Sequence, residues 1–350
     1  MAGMPPRRAV MTIAVASVLA LALTGCGLGA VSRAIRSAPP LLPAGPVEMT
    51  AFAPDYSGVT SLDRSADGID VVSVASIALL DGGATLTPTN DRVLALKKRA
   101  DELGKTTTLL LANSRPGVGF SRSLAASTLD SAANRQAIAT ALADRVESER
   151  WDGIMLDLEA LGRDQAADYV RFVATLRDEV GPGVRLDAAI MTATSEQGYL
   201  DRGYDVKGLA KHLDHLTLMA YDQHGTWNPS APGPIGALDW QRERLDALLK
   251  LVPAGQVDLG VAGYGYRWLA ADGAHSLSDR QARELVAATP GAAVSWDETA
   301  KEWHATLPDG QVAWWSDATS LRYRVALAKE KRINGVAVWS LAVSDPIAPR

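Results

Sequence analysis

The segment Trp151-Asp152-Gly153-Ile154-Met155-Leu156-Asp157-Leu158-Glu159 predicts both the architecture and the chemistry of this chain. Successive side chains of a β-strand point to opposite faces, so Met155, Asp157 and Glu159 share one face. Carboxylates on an inward face are costly unless they are paired or used, and the segment has no Lys or Arg for a structural ion pair. Two carboxyl groups at this spacing raise each other's pKa, which favours the protonated carboxyl that a general acid requires.

Apolar runs of strand length recur on both sides of this segment and alternate with stretches of helical periodicity. Two such helices are predicted over 133–149 and 164–180. Eight strands that alternate with helices predict an α/β fold, a (β/α)8 TIM barrel, whose active sites form at the carboxyl ends of the strands. A doubly wound open sheet is the alternative, but no glycine fingerprint follows the first strand. The predicted strands cover residues 49–53, 70–77, 106–112, 153–158, 184–191, 215–220, 257–262 and 335–340.

A long segment between the seventh and eighth strands predicts an insertion in the barrel. Residues 269–315 exceed the length of an ordinary loop between a strand and a helix. They include a helical stretch near 278–288, and the turn signal Pro308-Asp309-Gly310 separates two short runs of strand type. We therefore expect a small α+β subdomain, with strands over 293–296, 302–306 and 312–315.

Composition and charge exclude several classes of function. The 350 residues include 35 basic and 40 acidic side chains, a net charge of -5, so the chain lacks the basic surplus that nucleic-acid binding needs. A single Cys cannot form an internal disulfide, and no CxxC pair is present for a zinc site. His212, His215 and His224 do not form an HxH or HxxEH pattern, which makes a metal-dependent deacetylase or phosphatase the weaker alternative. We expect neither a metal nor a cofactor.

The N-terminus is typical of an exported lipoprotein. Arg7 and Arg8 precede an apolar run over 9–23, which is shorter than the roughly 20 apolar residues that span a bilayer. Leu23-Thr24-Gly25-Cys26 resembles a bacterial lipobox, a position that favours a lipidated Cys26 over a buried, inert one. We therefore predict a signal peptide over 1–25, a proline-rich linker over 26–48 and the folded part over 49–350. The mature protein would lie outside the cytoplasm, anchored to the bacterial membrane.

The acidic segment and several other motifs resemble those of the family 18 glycoside hydrolases, the chitinase-like barrels. Asp152, Asp157 and Glu159 match three of the four acidic positions of the DxxDxDxE signature. The resemblance runs from about residue 49 to 346, and is strongest toward the bacterial branch that includes spore-cortex-lytic N-acetylglucosaminidases. Three further matches are Met219-Ala220-Tyr221-Asp222 with MxYD, residues 260–265 with GxPxYG, and Trp339 with the tryptophan of strand eight.

This resemblance implies a retaining glycosidase that cleaves β-linked N-acetylglucosamine-containing glycans without an enzyme nucleophile or a cofactor. Glu159 would be the general acid and base, while the 2-acetamido group of the substrate attacks the anomeric carbon. Asp157 would orient that group, Tyr221 would hold its oxygen, and Asp222 would hydrogen-bond the sugar or the tyrosine. The residues expected to contact substrate are Asp152, Asn113, Met219, Tyr264 and Trp339, the last as an apolar floor under the sugar.

Met155 departs from the family signature, because it replaces the middle Asp of the motif. The replacement removes the partner toward which Asp157 can turn during the reaction. We interpret the protein as an active enzyme whose pH profile differs from that of family members with Asp at this position. The alternative is a catalytically silent, chitinase-like carbohydrate-binding lipoprotein on the same barrel.

Overall fold

The computed structural model describes residues 47–115, 117–269 and 273–349. The predicted signal peptide and Cys26 lie outside these residues. Of the predicted linker only residues 47 and 48 are described, and Glu48 is already the first residue of a strand. None of the helices in the described ranges is long and apolar enough to cross a membrane.

Fifteen strands and ten α-helices are found in the described part of the chain. In chain order they are β1 (Glu48–Pro54), α1 (Val59–Ser65), β2 (Val71–Ala78), α2 (Asp91–Glu102), β3 (Thr106–Ala112), β4 (Ser114–Arg115), β5 (Gly119–Phe120), α3 (Arg122–Leu129), α4 (Ala132–Glu149), β6 (Gly153–Asp157), α5 (Ala166–Val180), β7 (Arg185–Met191), α6 (Glu196–Asp201), α7 (Val206–Leu209), β8 (His215–Met219), α8 (Leu238–Leu248), β9 (Val257–Ala262), β10 (Tyr264–Leu269), β11 (Gly273–Ser278), α9 (Asp279–Ala287), β12 (Ala293–Asp297), β13 (Glu302–Thr306), β14 (Val312–Trp315), α10 (Ala318–Lys331) and β15 (Gly335–Trp339).

Eight of these strands close into a parallel barrel, which confirms the predicted fold class. Their order around the barrel is β1-β15-β9-β8-β7-β6-β3-β2, and the pairing of β1 with β15 completes the circle. Each strand predicted from the sequence overlaps an observed one, with ends that differ by at most one residue.

The alternation of side chains in β6 separates two apolar layers, as predicted. Ile154, Leu156 and Leu158 are buried in the large cluster that packs the strands against the surrounding helices. Met155 points to the other face and is 1% exposed. The second cluster, which lies inside the barrel, consists of Phe52, Ala75, Leu110, Ala112, Met155, Ala189 and Ala337.

Helix α4 leads directly into β6 and fixes where this strand begins. The Ser131 hydroxyl accepts a hydrogen bond from the Asn134 N–H and caps the helix. At the other end Arg150 takes a left-handed conformation, with φ 59°, and ends the helix just before the strand. The apolar side of α4, with Ile138 and Leu142, is buried against the barrel.

The insertion between β9 and α10 is a five-stranded antiparallel sheet, with strand order β11-β10-β14-β13-β12, and one helix, α9. The sheet begins at Tyr264, before the predicted boundary at residue 269. Gly263 alone separates β9 from β10, and its N–H donates to the Trp339 carbonyl of the neighbouring barrel strand. Because the chain leaves the barrel at Gly263, β10 places its tyrosines beside the carboxyl end of the barrel. The short β4–β5 hairpin and strand β11 were also not predicted.

Candidate active site

The two carboxyl groups of the acidic segment lie at the carboxyl end of the barrel. Asp157 is the last residue of β6 and is 7% exposed, whereas Glu159 follows the strand and is half-buried. Asp157 Oδ1 is buried and has no hydrogen-bond partner among the described residues. An unsatisfied buried acceptor costs about 1–3 kcal/mol, so this oxygen is suited to accept a donor from a ligand.

Both carboxyl groups hold their protons more tightly than usual because of burial, and Glu159 also because of neighbouring negative charges. Burial raises the pKa of Asp157. The pKa of Glu159 is also raised, first by burial and then by the negative charges of Asp157 and Asp222. Within the described residues neither group forms a salt bridge with a Lys or Arg that would oppose these effects. The pair therefore tends to retain a proton near neutral pH.

The backbone of Glu159 is held by side chains from two other parts of the barrel. The Asn113 Nδ2 donates to the Glu159 carbonyl at 2.8 Å and to the Ser121 carbonyl at 3.0 Å. Its Oδ1 accepts from the Glu159 N–H at 2.9 Å. The Tyr204 hydroxyl donates to the Leu158 carbonyl at 2.9 Å. Asn113 was predicted to contact substrate, but it is fully buried. Its hydrogen bonds instead hold the backbone of Glu159.

Asp222, after β8, is fixed by two tyrosines of the inserted sheet. The hydroxyls of Tyr264 and Tyr266 donate to Asp222 Oδ1 at 2.5 and 2.9 Å. Burial raises the pKa of Asp222, and the two tyrosine hydroxyls oppose this rise. The pKa of Tyr221 lies well above its usual range because of burial and of three charges, those of Asp157, Glu159 and Asp222, so its hydroxyl remains a donor.

Trp339 closes the apolar side of the site. It is half-buried at the end of β15, and its ring centroid lies 5.4 Å from that of Phe52. Met219, at the end of β8, packs against the same apolar cluster inside the barrel. Trp339 and Met219 thus both pack against the apolar cluster inside the barrel, and their contact with substrate stays a prediction.

Exposed aromatic residues follow three of the barrel strands. In the described ranges the large exposed aromatics are Tyr56 after β1, Phe120 in the β4–β5 hairpin after β3, and Trp227 after β8. Trp227 is 65% exposed. A Cβ added at Gly225 would lie 3.1 Å from Tyr266 Cε2 and 3.4 Å from Trp227 Cδ1, so Gly225 lies between the two rings. The buried Tyr266 ring and the exposed Trp227 ring thus both lie close to Gly225.

Most of the described chain matches one known family. The model of glycosyl hydrolases family 18 matches residues 62–343. The chain belongs to this family. It is 24% identical over 258 residues to the cortical fragment-lytic enzyme of Bacillus subtilis, covering 70% of this chain and 59% of that protein. It is 28% identical over 257 residues to chitotriosidase-1 of Mus musculus, covering 61% of this chain and 54% of that protein. The chain thus spans little more than half the length of these relatives.

Solved structures of the family share the fold. The spore cortex-lytic enzyme SleL of Bacillus cereus superposes with a TM-score of 0.77 at 20% sequence identity. The superposition covers 85% of this chain and 71% of SleL. The family 18 barrel fold is therefore present in this chain.

Asp152 lies at the opposite end of the barrel from Asp157 and Glu159. It precedes β6, and its Oδ2 accepts from the Thr107 N–H at 2.7 Å and from the Thr107 hydroxyl at 3.1 Å. These bonds join β6 to β3 at the amino end. This position is incompatible with the predicted contact between Asp152 and substrate, although the residue matches the family signature.

A second cluster of charged residues also lies at the amino end of the family 18 barrel. Glu48, His215 and Asp258 bring their possible metal-ligating atoms within 4.8 Å of one another. The Glu48 carboxylate accepts from both Arg185 Nη1 and Nη2, at 2.9 and 2.7 Å, and Arg185 Nε also donates to Asp187 at 2.5 Å. Together with the bond from Asn334 Nδ2 to Asp258 Oδ1 at 2.9 Å, these contacts make the cluster a charged network that joins strands β1, β7 and β9. A surface cavity of about 410 Å³ adjoins it, far from Glu159.

Two residues of the candidate site, Tyr266 and Tyr204, were not predicted from the sequence. Tyr266 follows Tyr264 by two positions on a strand, so the same alternation that identified the acidic pair could have found it. Tyr204 lies between the short helices α6 and α7, and no local pattern connects it with Leu158.

Proposed function

We propose that this protein is a retaining glycosidase that cleaves β-linked N-acetylglucosamine-containing glycans, with Glu159 as general acid and base. The observation that carries the proposal is the buried pair of Asp157 and Glu159 at the carboxyl end of the barrel, beside Tyr221 and Asp222. Family membership supports glycoside hydrolysis, and the names of the two relatives support a substrate of the cortex-glycan or chitin type.

In the first step Glu159 protonates the glycosidic oxygen. The raised pKa of its carboxyl keeps this proton in place near neutral pH. As the bond to the leaving sugar breaks, the carbonyl oxygen of the substrate's own 2-acetamido group attacks the anomeric carbon, which gives a cyclic oxazolinium ion. The leaving sugar departs with the proton from Glu159.

Asp157 and Tyr221 orient the acetamido group for this attack. Asp157 Oδ1, buried and without a partner in the described structure, is free to accept the acetamido N–H. Its negative charge would stabilise the positive charge that develops on the oxazolinium ring. The Tyr221 hydroxyl remains protonated and would donate to the acetamido oxygen.

In the second step Glu159, now a carboxylate, takes a proton from a water molecule. The resulting hydroxide attacks the anomeric carbon, opens the ring and restores the original β configuration. Trp339 offers an apolar face to the sugar, and Asp222, held by two tyrosines, keeps its second oxygen for a hydroxyl of the sugar or for Tyr221.

Hydrolysis of a chromogenic N-acetylglucosaminide series by the full chain tests this proposal. Glu159→Gln should lower kcat by about 10²–10⁴-fold, because it removes the acid and base. The matched control is Glu284→Gln, on the exposed side of α9, which should leave kcat unchanged. NMR of the first product should show the β anomer. Binding of oligosaccharide without turnover in either protein would instead establish the carbohydrate-binding alternative, and a first product with the α anomer would refute retention.

We also propose that the protein is exported and anchored outside the cytoplasmic membrane by a lipid on Cys26. The lipobox-like sequence that ends at Cys26 supports this location. Cys26→Ser should move the protein from the detergent phase to the aqueous phase in a Triton X-114 partition. An unchanged partition would refute lipidation at this residue.

A further inference from the structure

A fully buried ion pair connects the inserted sheet to the barrel. Glu302, the first residue of β13, and Arg324, in α10, are each 1% exposed, and Arg324 Nη2 lies 3.1 Å from Glu302 Oε1. Replacement of such a pair by apolar residues is often neutral for stability, because desolvation offsets the attraction. The other contacts of these two side chains therefore indicate what the pair does.

Both side chains bind the backbone of the loop that follows β8. Glu302 accepts from the Ile235 N–H at 2.7 Å and from the Gly236 N–H at 3.0 Å. Arg324 Nη2 donates to the Gly236 carbonyl at 2.6 Å. Gly236 lies against the barrel, since a Cβ at this position would be 2.7 Å from the Ala220 carbonyl oxygen. The ion pair thus holds the returning end of the loop against the residue that precedes Tyr221.

Gln241 extends these contacts to Ala220 itself. It lies in α8, is 1% exposed, and its Oε1 accepts from Arg324 Nε at 3.0 Å. Its Nε2 donates to the Ala220 carbonyl at 2.7 Å. On the other side of the motif, the Gln223 N–H donates to the Ile235 carbonyl at 2.8 Å. Backbone groups directly before and after Tyr221–Asp222 are therefore both fixed.

The backbone between these fixed points is strained. Asp222 has φ 56°, in the left-handed region that non-glycine residues adopt infrequently. Such a conformation persists where the surroundings hold it. The fixed residues on both sides of Tyr221–Asp222 supply this restraint.

We propose that Glu302, Arg324 and Gln241 form a positioning network that holds Tyr221 and Asp222 in their reactive places. The insertion would thus act on catalysis through the backbone of residues 220–223, without touching substrate through these three side chains. This inference rests on the proposed glycosidase function, since it assigns the network a role in that reaction.

Gln241→Met is the most direct test, because it keeps the size of the side chain and removes its bond to Ala220. The negative charge of Asp222 raises the pKa of Glu159. If Asp222 is displaced, the pKa of Glu159 should fall. The alkaline limb of the kcat/KM profile, where Glu159 loses its proton, should then move to lower pH. We expect kcat to fall by about 10- to 100-fold with little change in KM, as for a misplaced reacting group.

The matched control is Gln256→Met at the amino end of the barrel. The Gln256 Nε2 likewise donates to backbone carbonyls, those of Ala210 at 3.0 Å and Leu213 at 3.2 Å. The control should lose some thermal stability and keep the wild-type kcat and pH profile. Both variants are compared in thermal unfolding and in the chromogenic assay.

The outcomes separate the network from the function on which it rests. If the wild-type protein is active and Gln241→Met has the same kcat and the same alkaline limb, the proposed network alone is overturned. No wild-type turnover would overturn the proposed glycosidase, and the network with it. If Gln241→Met does not fold, Glu302→Gln takes its place, since it keeps the shape of the buried side chain. The same shift of the alkaline limb is expected there, and its absence in a folded, active Glu302→Gln would likewise refute the network.

Discussion

Replacement of Asn113 by Ala should impair catalysis, although Asn113 itself does not face the substrate. The change removes three hydrogen bonds, two of them to the backbone of Glu159 and one to the Ser121 carbonyl. The backbone groups of Glu159 and Ser121 would lose these partners, and each buried group left without one costs about 1–3 kcal/mol. Water would replace part of the lost bonding at Glu159, because this residue is only half-buried. We therefore expect the free energy of unfolding to fall by about 3 kcal/mol.

The effect on rate follows from the position of Glu159 beyond the end of its strand. Because β6 ends at Asp157, the Glu159 backbone depends on Asn113, and Tyr204 holds only the preceding carbonyl. A displacement of about 1 Å in a reacting group can cost up to about 100-fold in rate. We expect kcat for a chromogenic N-acetylglucosaminide to fall by about 10- to 100-fold in Asn113→Ala, equivalent to about 1.4–2.7 kcal/mol of activation free energy.

Asn134→Ala separates this effect from a general loss of stability. Asn134 Nδ2 also donates to two backbone carbonyls, those of Gly82 at 2.9 Å and Ser127 at 2.7 Å, on the outside of the barrel. Urea unfolding should show a loss of stability in both variants, and only Asn113→Ala should lose kcat at a temperature where both are folded. Equal kcat values in Asn113→Ala and Asn134→Ala would refute the positioning role of Asn113.

Two further predictions concern the inside and the rim of the site. Met155→Asn would place an amide donor beneath Asp157 and so lower the pKa of Asp157. A hydrogen bond to a charged group contributes about 1.5–3 kcal/mol. The acid limb of the kcat/KM profile should therefore move down by about one to two pH units. An acid limb that stays in place would contradict this. Trp227→Ala should lower kcat/KM for a chitohexaose by about 5- to 10-fold, as for the loss of a stacking contact, and leave a chromogenic monosaccharide unaffected. Equal losses on both substrates would argue against an outer sugar contact.

The barrel could be predicted from the sequence because its signals are local. The period of two in β6 and the apolar runs of the other strands depend only on residues that are neighbours in the chain. The start of the insertion was misplaced because the single residue Gly263 separates β9 from β10, and a run that continues in strand conformation gives no sign that the chain changes sheets.

The roles of individual polar residues depend on contacts that sequence distance conceals. Asp152 matches the acidic signature, yet its position before the strand places it at the amino end, where it binds Thr107. Asn113 follows β3 and meets Glu159 only because β3 and β6 pair with Ala112 opposite Asp157. This register between distant strands is set by the closure of the barrel, so a single sequence without the fold cannot reveal it.

The apolar layer beneath Asp157 explains how this site differs from the family signature. Met155 belongs to the apolar cluster inside the barrel, and no described residue donates a hydrogen bond to Asp157 Oδ1. The carboxyl therefore bears the full cost of burial in the free protein, which is why its pKa is raised and its Oδ1 is unsatisfied within the described structure. An acetamido N–H would satisfy that oxygen, and the developing positive charge would favour the ionised carboxylate. Substrate binding and reaction, rather than a neighbouring Asp, would then offset the desolvation of Asp157, and this places the strongest electrostatic interaction of the site in the transition state.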